Sequence, residues 1–369
     1  MSKENLYVDL HVLQTVPSSN INRDDAGSPK TALYGGVTRA RVSSQSWKRA
    51  MRKAFFADSD GKEWLNSFRT KKLPMLLTAK VREKMPGITE EEALEKSLTL
   101  LKTAGIKVAK DKATGEMLTG ALMLVSCGQL EKLANYIVHH PALHDEDKKA
   151  IKEGFNTNPS LDLALFGRMV ADDPELNVDA AAQVAHAIST HEVIPEFDYF
   201  TGLDDAQTDG TSGAAMLGTL EYNSSTLYRY ANVNMHELAH NLGKELAVKG
   251  LALFIKEFIM SMPTGKQNSY ANKTVPQYVM VTIRRDTPVN LVSAFEDPVE
   301  SRNGYVTPSI KRLEKELAST CQWVDKPLLT VVLTSKESTV EDKAANLQSL
   351  LDTVTDDVKR VMADGRTDN

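Results

Sequence analysis

Residues 39–53 read Arg-Ala-Arg-Val-Ser-Ser-Gln-Ser-Trp-Lys-Arg-Ala-Met-Arg-Lys. Trp47, Ala50, Met51, Ala54 and Phe55 recur at helical spacing. That spacing predicts an amphipathic helix from about Ser44, with the Trp47 stripe turned to a core. Ser43 or Ser44 suits the N-cap, and free N–H groups at such a helix start can hold a phosphate. Gln45, Lys48 and Arg52 share the other face, with Arg49 beside them. From Ala26 to Ala57 there is no Asp or Glu, while Lys30, Arg39, Arg41, Lys48, Arg49, Arg52 and Lys53 all fall inside. A solvated basic face is the plain alternative. Solvated faces normally mix signs, so the window reads as a track for a polyanion.

Outward from this helix the pattern alternates between strand and helix. Leu6, Val8, Leu10 and Val12 alternate with Tyr7, Asp9 and His11, a period of two that predicts a strand. Residues 17–36 are loop-like. Residues 58–167 read mostly as helix and loop, with helical candidates at 94–101, 122–138 and 145–154. Residues 180–193 fit either state. Residues 195–220 read as a hairpin or protruding loop. A strand is predicted near 226–233, one long helix over 235–261, a last strand at 278–283 and a frayed end from Thr355. This order is compatible with a split βαββαβ ferredoxin-like core and an α+β class.

The net charge of −5 points away from nucleic acid only if charge is evenly spread, and here it is segregated. Cys127 and Cys321 stand far apart, which excludes a cysteine-rich zinc site and fits a reducing compartment. No leader pattern is read at Met1. No apolar run approaches the ~20 residues of a membrane span. A cytoplasmic protein without membrane contact is therefore expected. No phosphate-binding glycine loop or nucleophile elbow occurs, so no cofactor is expected.

Two constellations carry possible chemistry. His236-Glu-Leu-Ala-His240 matches the two-histidine zinc helix of metallopeptidases. Both histidines lie away from Leu238 and Leu242, no third ligand is organised, and a surface pair is the simpler reading. Asp24 and Asp25 form a paired carboxylate that could hold a metal, or could only order their loop. No metal site is assigned, and no catalytic residue.

His11-Val-Leu13, Asn22-Arg-Asp-Asp25, Tyr34-Gly-Gly36, Arg41-Val-Ser-Ser-Gln-Ser46 and Lys48-Arg-Ala-Met-Arg52 stand in order at the amino end. Gly167-Arg-Met169, Ala185-His-Ala-Ile-Ser-Thr-His191, Phe200-Thr-Gly-Leu-Asp-Asp205, Leu217-Gly-Thr219, Tyr228-Arg-Tyr-Ala-Asn232, Lys266-Gln-Asn-Ser-Tyr-Ala271 and Asn290-Leu-Val-Ser-Ala-Phe-Glu296 follow. This series, over about Tyr7 to Ile310, resembles the CasC family, the repeated backbone subunit of type I-E CRISPR Cascade.

The resemblance implies a hand-like chain, with a modified RNA-recognition-motif palm, helical fingers and a thumb. The corresponding ranges are palm 1–57 with the basic helix, fingers 58–175, palm 176–194, thumb 195–220, palm 221–310 and a C-terminal helical extension and tail 311–369. It implies a non-catalytic protein whose partners are guide RNA (crRNA), target DNA, further copies of itself, other Cascade subunits and a recruited nuclease-helicase. Arg23, Lys30, Ser43, Ser44, Gln45, Lys48, Arg49 and Arg52 would meet the guide backbone. Arg168 and Met169 would lie near it at the finger base, and Met216 and Leu217 at the thumb tip. Lys148, Lys149 and Lys152 would meet DNA, although the acids around them also suit an ordinary paired surface helix. Ribonuclease activity, used by related type III subunits through a loop aspartate, is the alternative carried by Asp24 and Asp25. Tyr228 and Tyr230 are assigned no stacking role, because the aromatic signature of an RNA-recognition motif is incomplete.

Overall fold

The computed structural model describes residues 5–59, 62–170, 173–202 and 216–364. The chain forms two compact units. The first holds Met1–Met51, Val184–Asn232 and Ala252–Asn369; the second holds Arg52–Gln183 and Val233–Leu251.

The first unit is built on one large sheet. Its strands are β1 (Tyr7–Ser19), β2 (Thr31–Tyr34), β3 (Val37–Val42), β4 (Ala187–Ser189), β5 (Glu196–Gly202), β6 (Met216–Asn234), β7 (Tyr278–Arg284) and β8 (Leu329–Thr334). The spatial order is β8-β7-β1-β6-β4-β3-β2, and β5 pairs with β6 as an antiparallel hairpin. The alternation in β1 is real, but its polar side is not wet. Asp9 and His11 are as buried as Val8, Leu10 and Val12. The Tyr230 hydroxyl donates to Asp9 Oδ1 at 2.8 Å, and His11 Nδ1 lies 2.9 Å from the Tyr228 hydroxyl. Buried polar groups need such partners, because each unmade bond costs about 1–3 kcal/mol. Tyr228 and Tyr230 are thus core residues, packed with Phe295, Ile310 and Leu313.

Arg39 is also buried. Its guanidinium donates to the carbonyls of Tyr34, Ser189, Phe295 and Glu296 and so ties β3 to β4 and to the 291–295 turn. The same turn presses on Gly35, where an added Cβ would stand 1.7 Å from the Glu296 carbonyl oxygen. With φ at +60° as well, only glycine fits.

The C-terminal region departs from expectation. Residues 329–334 form an edge strand that pairs with β7. Leu347–Asp364 is a regular helix with Leu350, Val354 and Val358 buried, where a frayed end was expected from Thr355. Residues 365–369 lie outside the described residues.

The second unit is mainly helical. Helices Leu73–Lys84, Glu90–Thr103, Cys127–His139 and Lys148–Asn156 surround a core of Leu77, Val81, Leu100, Leu101, Leu130, Leu133, Ile137 and Phe155. Two helix starts are reciprocal capping boxes, Thr89 with Glu92 and Ser126 with Gln129. The candidate at 122–138 begins as a strand, Met123–Ser126, because Ser126 stops one element and caps the next. The helix expected over 235–261 is two, Met235–Leu242 and Lys244–Met260. Gly243 breaks it with φ at +79°. No helix among the described residues is long and apolar enough to cross a membrane.

Candidate nucleic-acid interface

The basic segment folds as the helix Ser44–Ala57. It starts where the Ser43 carbonyl accepts the Ser46 and Trp47 N–H groups, at 3.0 and 3.2 Å. The Ser43 N–H donates to Asn22 Oδ1 at 2.8 Å, which pins the helix start to the loop before β2. Ser43 is buried, so it is a joint and not an exposed anion donor.

Trp47 anchors the helix in the first unit. The Arg229 guanidinium lies over its ring at 3.8 Å and over Phe258 at 4.7 Å. Arg229 is buried and has no carboxylate partner among the described residues; it donates to Gln14 Oε1 at 2.6 Å and to the Phe258 carbonyl. Burial lowers its pKa to about 9, which still leaves it charged at neutral pH. Two aromatic faces supply part of what a counterion would.

With one side clamped, the other side presents Gln45 and Arg49. Both are exposed, and neither has a side-chain partner among the described residues. Lys48 is half-buried, and burial lowers its pKa. At the helix start, the Ser44 N–H donates to His186 Nδ1 at 3.3 Å. His186 has its pKa lowered by burial and by the charges of Arg41 and Lys30. Burial is the larger cause, and the smaller share comes from the two cations near the helix start. Sequence reasoning missed His186; its signal was its place in the Ala185–His191 motif.

The loop of residues 22–30 carries Arg23, exposed and without a side-chain partner among the described residues. Asp24 shapes this loop: its Oδ1 accepts the Ala26 N–H at 2.9 Å and the Ser28 N–H at 3.0 Å. Asp25 is exposed. Among the described residues no group of three His, Cys, Asp or Glu could hold a metal ion. His236 and His240 are both exposed on their helix, which is capped by Asn234. The geometry favours neither the ribonuclease nor the peptidase reading.

Three expected contact residues have other occupations. Arg52 Nε lies 2.6 Å from Asp162 Oδ2, and its guanidinium also reaches Ser67 Oγ at 3.3 Å. Asp162 is buried, so Arg52 neutralises an interior charge instead of offering its own. Arg168 is buried and donates to the carbonyls of Leu176, Leu124 and Phe155 and to the side chains of Gln129 and Asn156. It is a strut of the second unit. Lys152 is buried between Asp173 and Glu175, at 2.7 and 2.6 Å, whereas Lys148 and Lys149 are exposed.

The apolar candidates divide as well. Met169 is 85% exposed beside the buried Arg168, and Leu217 is 59% exposed on β6, opposite Thr201. Met216 pairs through its backbone with Gly202; its side chain, like residues 203–215, lies outside the described residues.

Comparison with known proteins agrees with this architecture. A chain of a solved "CRISPR RNA-guided surveillance complex, pre-nicking" is 30% identical with a TM-score of 0.84, covering 95% of this chain and 99% of that one. A chain of another "CRISPR RNA-guided surveillance complex" is 27% identical with a TM-score of 0.63, at the same coverage. No curated protein matches. Residues 8–357 match the CT1975-like protein family. By that match, which spans nearly its whole length, and by its motif order, the chain belongs to the CT1975-like family of CasC-type CRISPR Cascade subunits.

Proposed function

We propose that this chain is a non-catalytic backbone subunit of a type I-E Cascade, polymerising along the guide RNA and gripping its sugar-phosphate spine. The observation that carries this reading is the clamped basic helix, with Trp47 held by Arg229 while Gln45 and Arg49 face outward. Lys30 and Arg41 add positive charge near the helix start, and Arg23 stands exposed on the adjoining 22–30 loop. Contacts of this kind give affinity without reading sequence. They suit a protein that must hold any guide and leave base edges free to pair with target DNA.

The palm reading draws support from strand order. Taken in chain order, β1, β4, β6 and β7 are the first to fourth strands of a split βαββαβ motif, and they lie fourth, first, third, second across the sheet. Leu217 on the hairpin and the exposed Met169 would meet the guide as apolar wedges. Lys148 and Lys149, but not Lys152, would meet target DNA. Repeated copies would contact one another head to tail, the arrangement that generates open filaments.

The chain purified from its host should carry RNA, and sequencing should return spacers flanked by repeat sequence; random cellular RNA would sink the proposal. Removing the charges of Arg23 and Arg49 by alanine substitution should lower the slope of log affinity against log salt by roughly 1.4, two phosphates' worth for a single strand. An unchanged slope would place the guide elsewhere. Incubation with RNA and a divalent metal should leave the RNA intact; products that vanish on Asp24→Ala would promote the ribonuclease instead.

A further inference from the structure

Residues 301–304, Ser-Arg-Asn-Gly, stand between the 291–295 turn and the helix Val306–Thr320 and have no role in the reading above. They hold the one Asn-Gly pair in the chain. Such a pair has a chemistry of its own. The glycine main-chain nitrogen can attack the asparagine side-chain carbonyl carbon, and a residue without a Cβ obstructs that approach least. A fold suppresses the attack where it ties up the nitrogen or buries the amide.

The fold does neither at this bend. Asn303 and Gly304 are both exposed. The Asn303 N–H donates to Ser301 Oγ at 3.1 Å, which shapes the bend and leaves both reacting groups free. Among the described residues the Gly304 N–H has no hydrogen-bond partner, and neither has the Asn303 side-chain amide. Nothing stands within 4 Å of the point where a Gly304 Cβ would be. The chain's Asn-Ser pairs, at 66, 223 and 268, are different. The Asn66 amide oxygen and Asn223 are buried, and the Ser269 N–H that follows Asn268 donates to the Lys266 carbonyl at 3.0 Å.

The bend is also held at both ends. The Val299 N–H donates to the Thr190 carbonyl at 2.9 Å, and Ser309 Oγ lies 2.9 Å from Thr190 Oγ1. Between these anchors the Tyr305 ring stacks on His191, with centroids 3.6 Å apart. Any change in backbone length at residue 303 has to be taken up in this short span.

We propose that Asn303 is a site of spontaneous modification, converting to aspartate and isoaspartate, and that the isoaspartyl form loosens the seat of Tyr305. The Gly304 nitrogen gives up its proton and bonds to Asn303 Cγ. The Cγ–Nδ2 bond breaks, and ammonia leaves with that proton. Water then opens the cyclic imide. Cleavage of the new N–Cγ bond gives aspartate, a charge that suits the start of a helix. Cleavage of the original peptide bond leaves the main chain running through Cβ and Cγ, one atom longer. No oxidant or enzyme is needed.

Full-length chain is held in mildly alkaline buffer at growth temperature, native or in urea, and sampled over days. Cleavage after Glu300 and Glu314 releases residues 301–314, whose mass reports loss of the amide. A carboxyl methyltransferase specific for isoaspartate, with a labelled methyl donor, reports the lengthened form. Both signals should appear in this peptide before any other asparagine peptide, and as fast in the native chain as in urea. Asn303→Gln, whose attack needs a larger ring, should stay unlabelled there. A peptide that reacts in urea but not in the native chain, or label that appears first elsewhere, overturns the site. After equal ageing the parent should melt below Asn303→Gln, whereas fresh Asn303→Asp should melt with the fresh parent. Aged parent and Asn303→Gln that melt together would overturn the link to Tyr305.

Discussion

An Arg168→Met chain is expected to lose about 4 kcal/mol of stability or more, the largest effect of any single substitution considered for the second unit. Methionine keeps most of the apolar stem and removes the fork. Five acceptors lose this donor; the Phe155 carbonyl keeps Gln129 Nε2 and Gln129 Oε1 keeps the Ser126 N–H, while the Leu176 and Leu124 carbonyls and Asn156 Oδ1 lose the guanidinium with no other side chain to replace it among the described residues. Each orphaned buried acceptor costs about 1–3 kcal/mol unless water reaches it. Arg168→Lys should fall between, because an ammonium cannot span acceptors held by a planar guanidinium. Urea unfolding followed by circular dichroism measures the loss. A cost below about 1 kcal/mol would show that Arg168 is not the strut its geometry suggests and would return it to the list of RNA contacts. At a denaturant-free temperature where the variant stays folded, RNA affinity should match the parent.

The second large effect is electrostatic. Burial raises the Asp9 pKa from 3.8 to about 7, against hydrogen bonds from Tyr230 and Val289 that oppose the shift. Burial lowers that of His11 from 6.5 to about 3, with Arg284 adding to the fall. The signs are opposite. Asp9 favours the folded state below its unfolded pKa, and stability is lost as pH rises from about 4 to about 7. His11 favours it above 6.5, and stability is lost as pH falls toward about 3.

Over pH 4 to 6.5 the two slopes offset each other, and the native chain should show a nearly flat profile. Asp9→Asn leaves His11 alone to titrate. Asparagine can still accept the Val289 N–H and donate to the Tyr230 oxygen. The variant should therefore gain stability with rising pH across that window, and at pH 8 it should exceed the parent by an amount on the order of 4 kcal/mol. Denaturation midpoints at several pH values test this. A variant less stable than the parent at pH 8 would mean that ionised Asp9 is well paired in the sheet.

These two sites mark where sequence reading stopped. Apolar periodicity gave β1, the Trp47 helix and β7, because each repeats one simple spacing. The alternation gave the strand but not the surroundings of Asp9 and His11, since period two does not say what covers the second face. Both faces of β1 are in fact buried, which only the packing of Tyr228, Tyr230 and the 291–295 turn reveals.

The acid-free window was legible as a basic surface, but a charge count treats all cations alike. Arg39 and Arg52 serve the interior, and their partners, the Ser189 carbonyl and Asp162, are more than 100 residues away in sequence. Arg168 and Lys152, assigned by resemblance, hold partners 8 to 44 residues away that only the packing of the second unit brings to them. A helical extension was expected at the C-terminal end, but the edge strand β8 and the regular helix continuing past Thr355 went unread because they lie beyond the motifs.

The clamp on Trp47 also gives the molecule an optical handle. Of three tryptophans, Trp323 is 88% exposed, whereas Trp47 is sealed against a guanidinium. Trp323 should emit near the red limit for an indole in water and yield readily to iodide. Trp47 should stay blue-shifted and shielded until the basic helix leaves its seat, so its colour reports undocking without any attached dye.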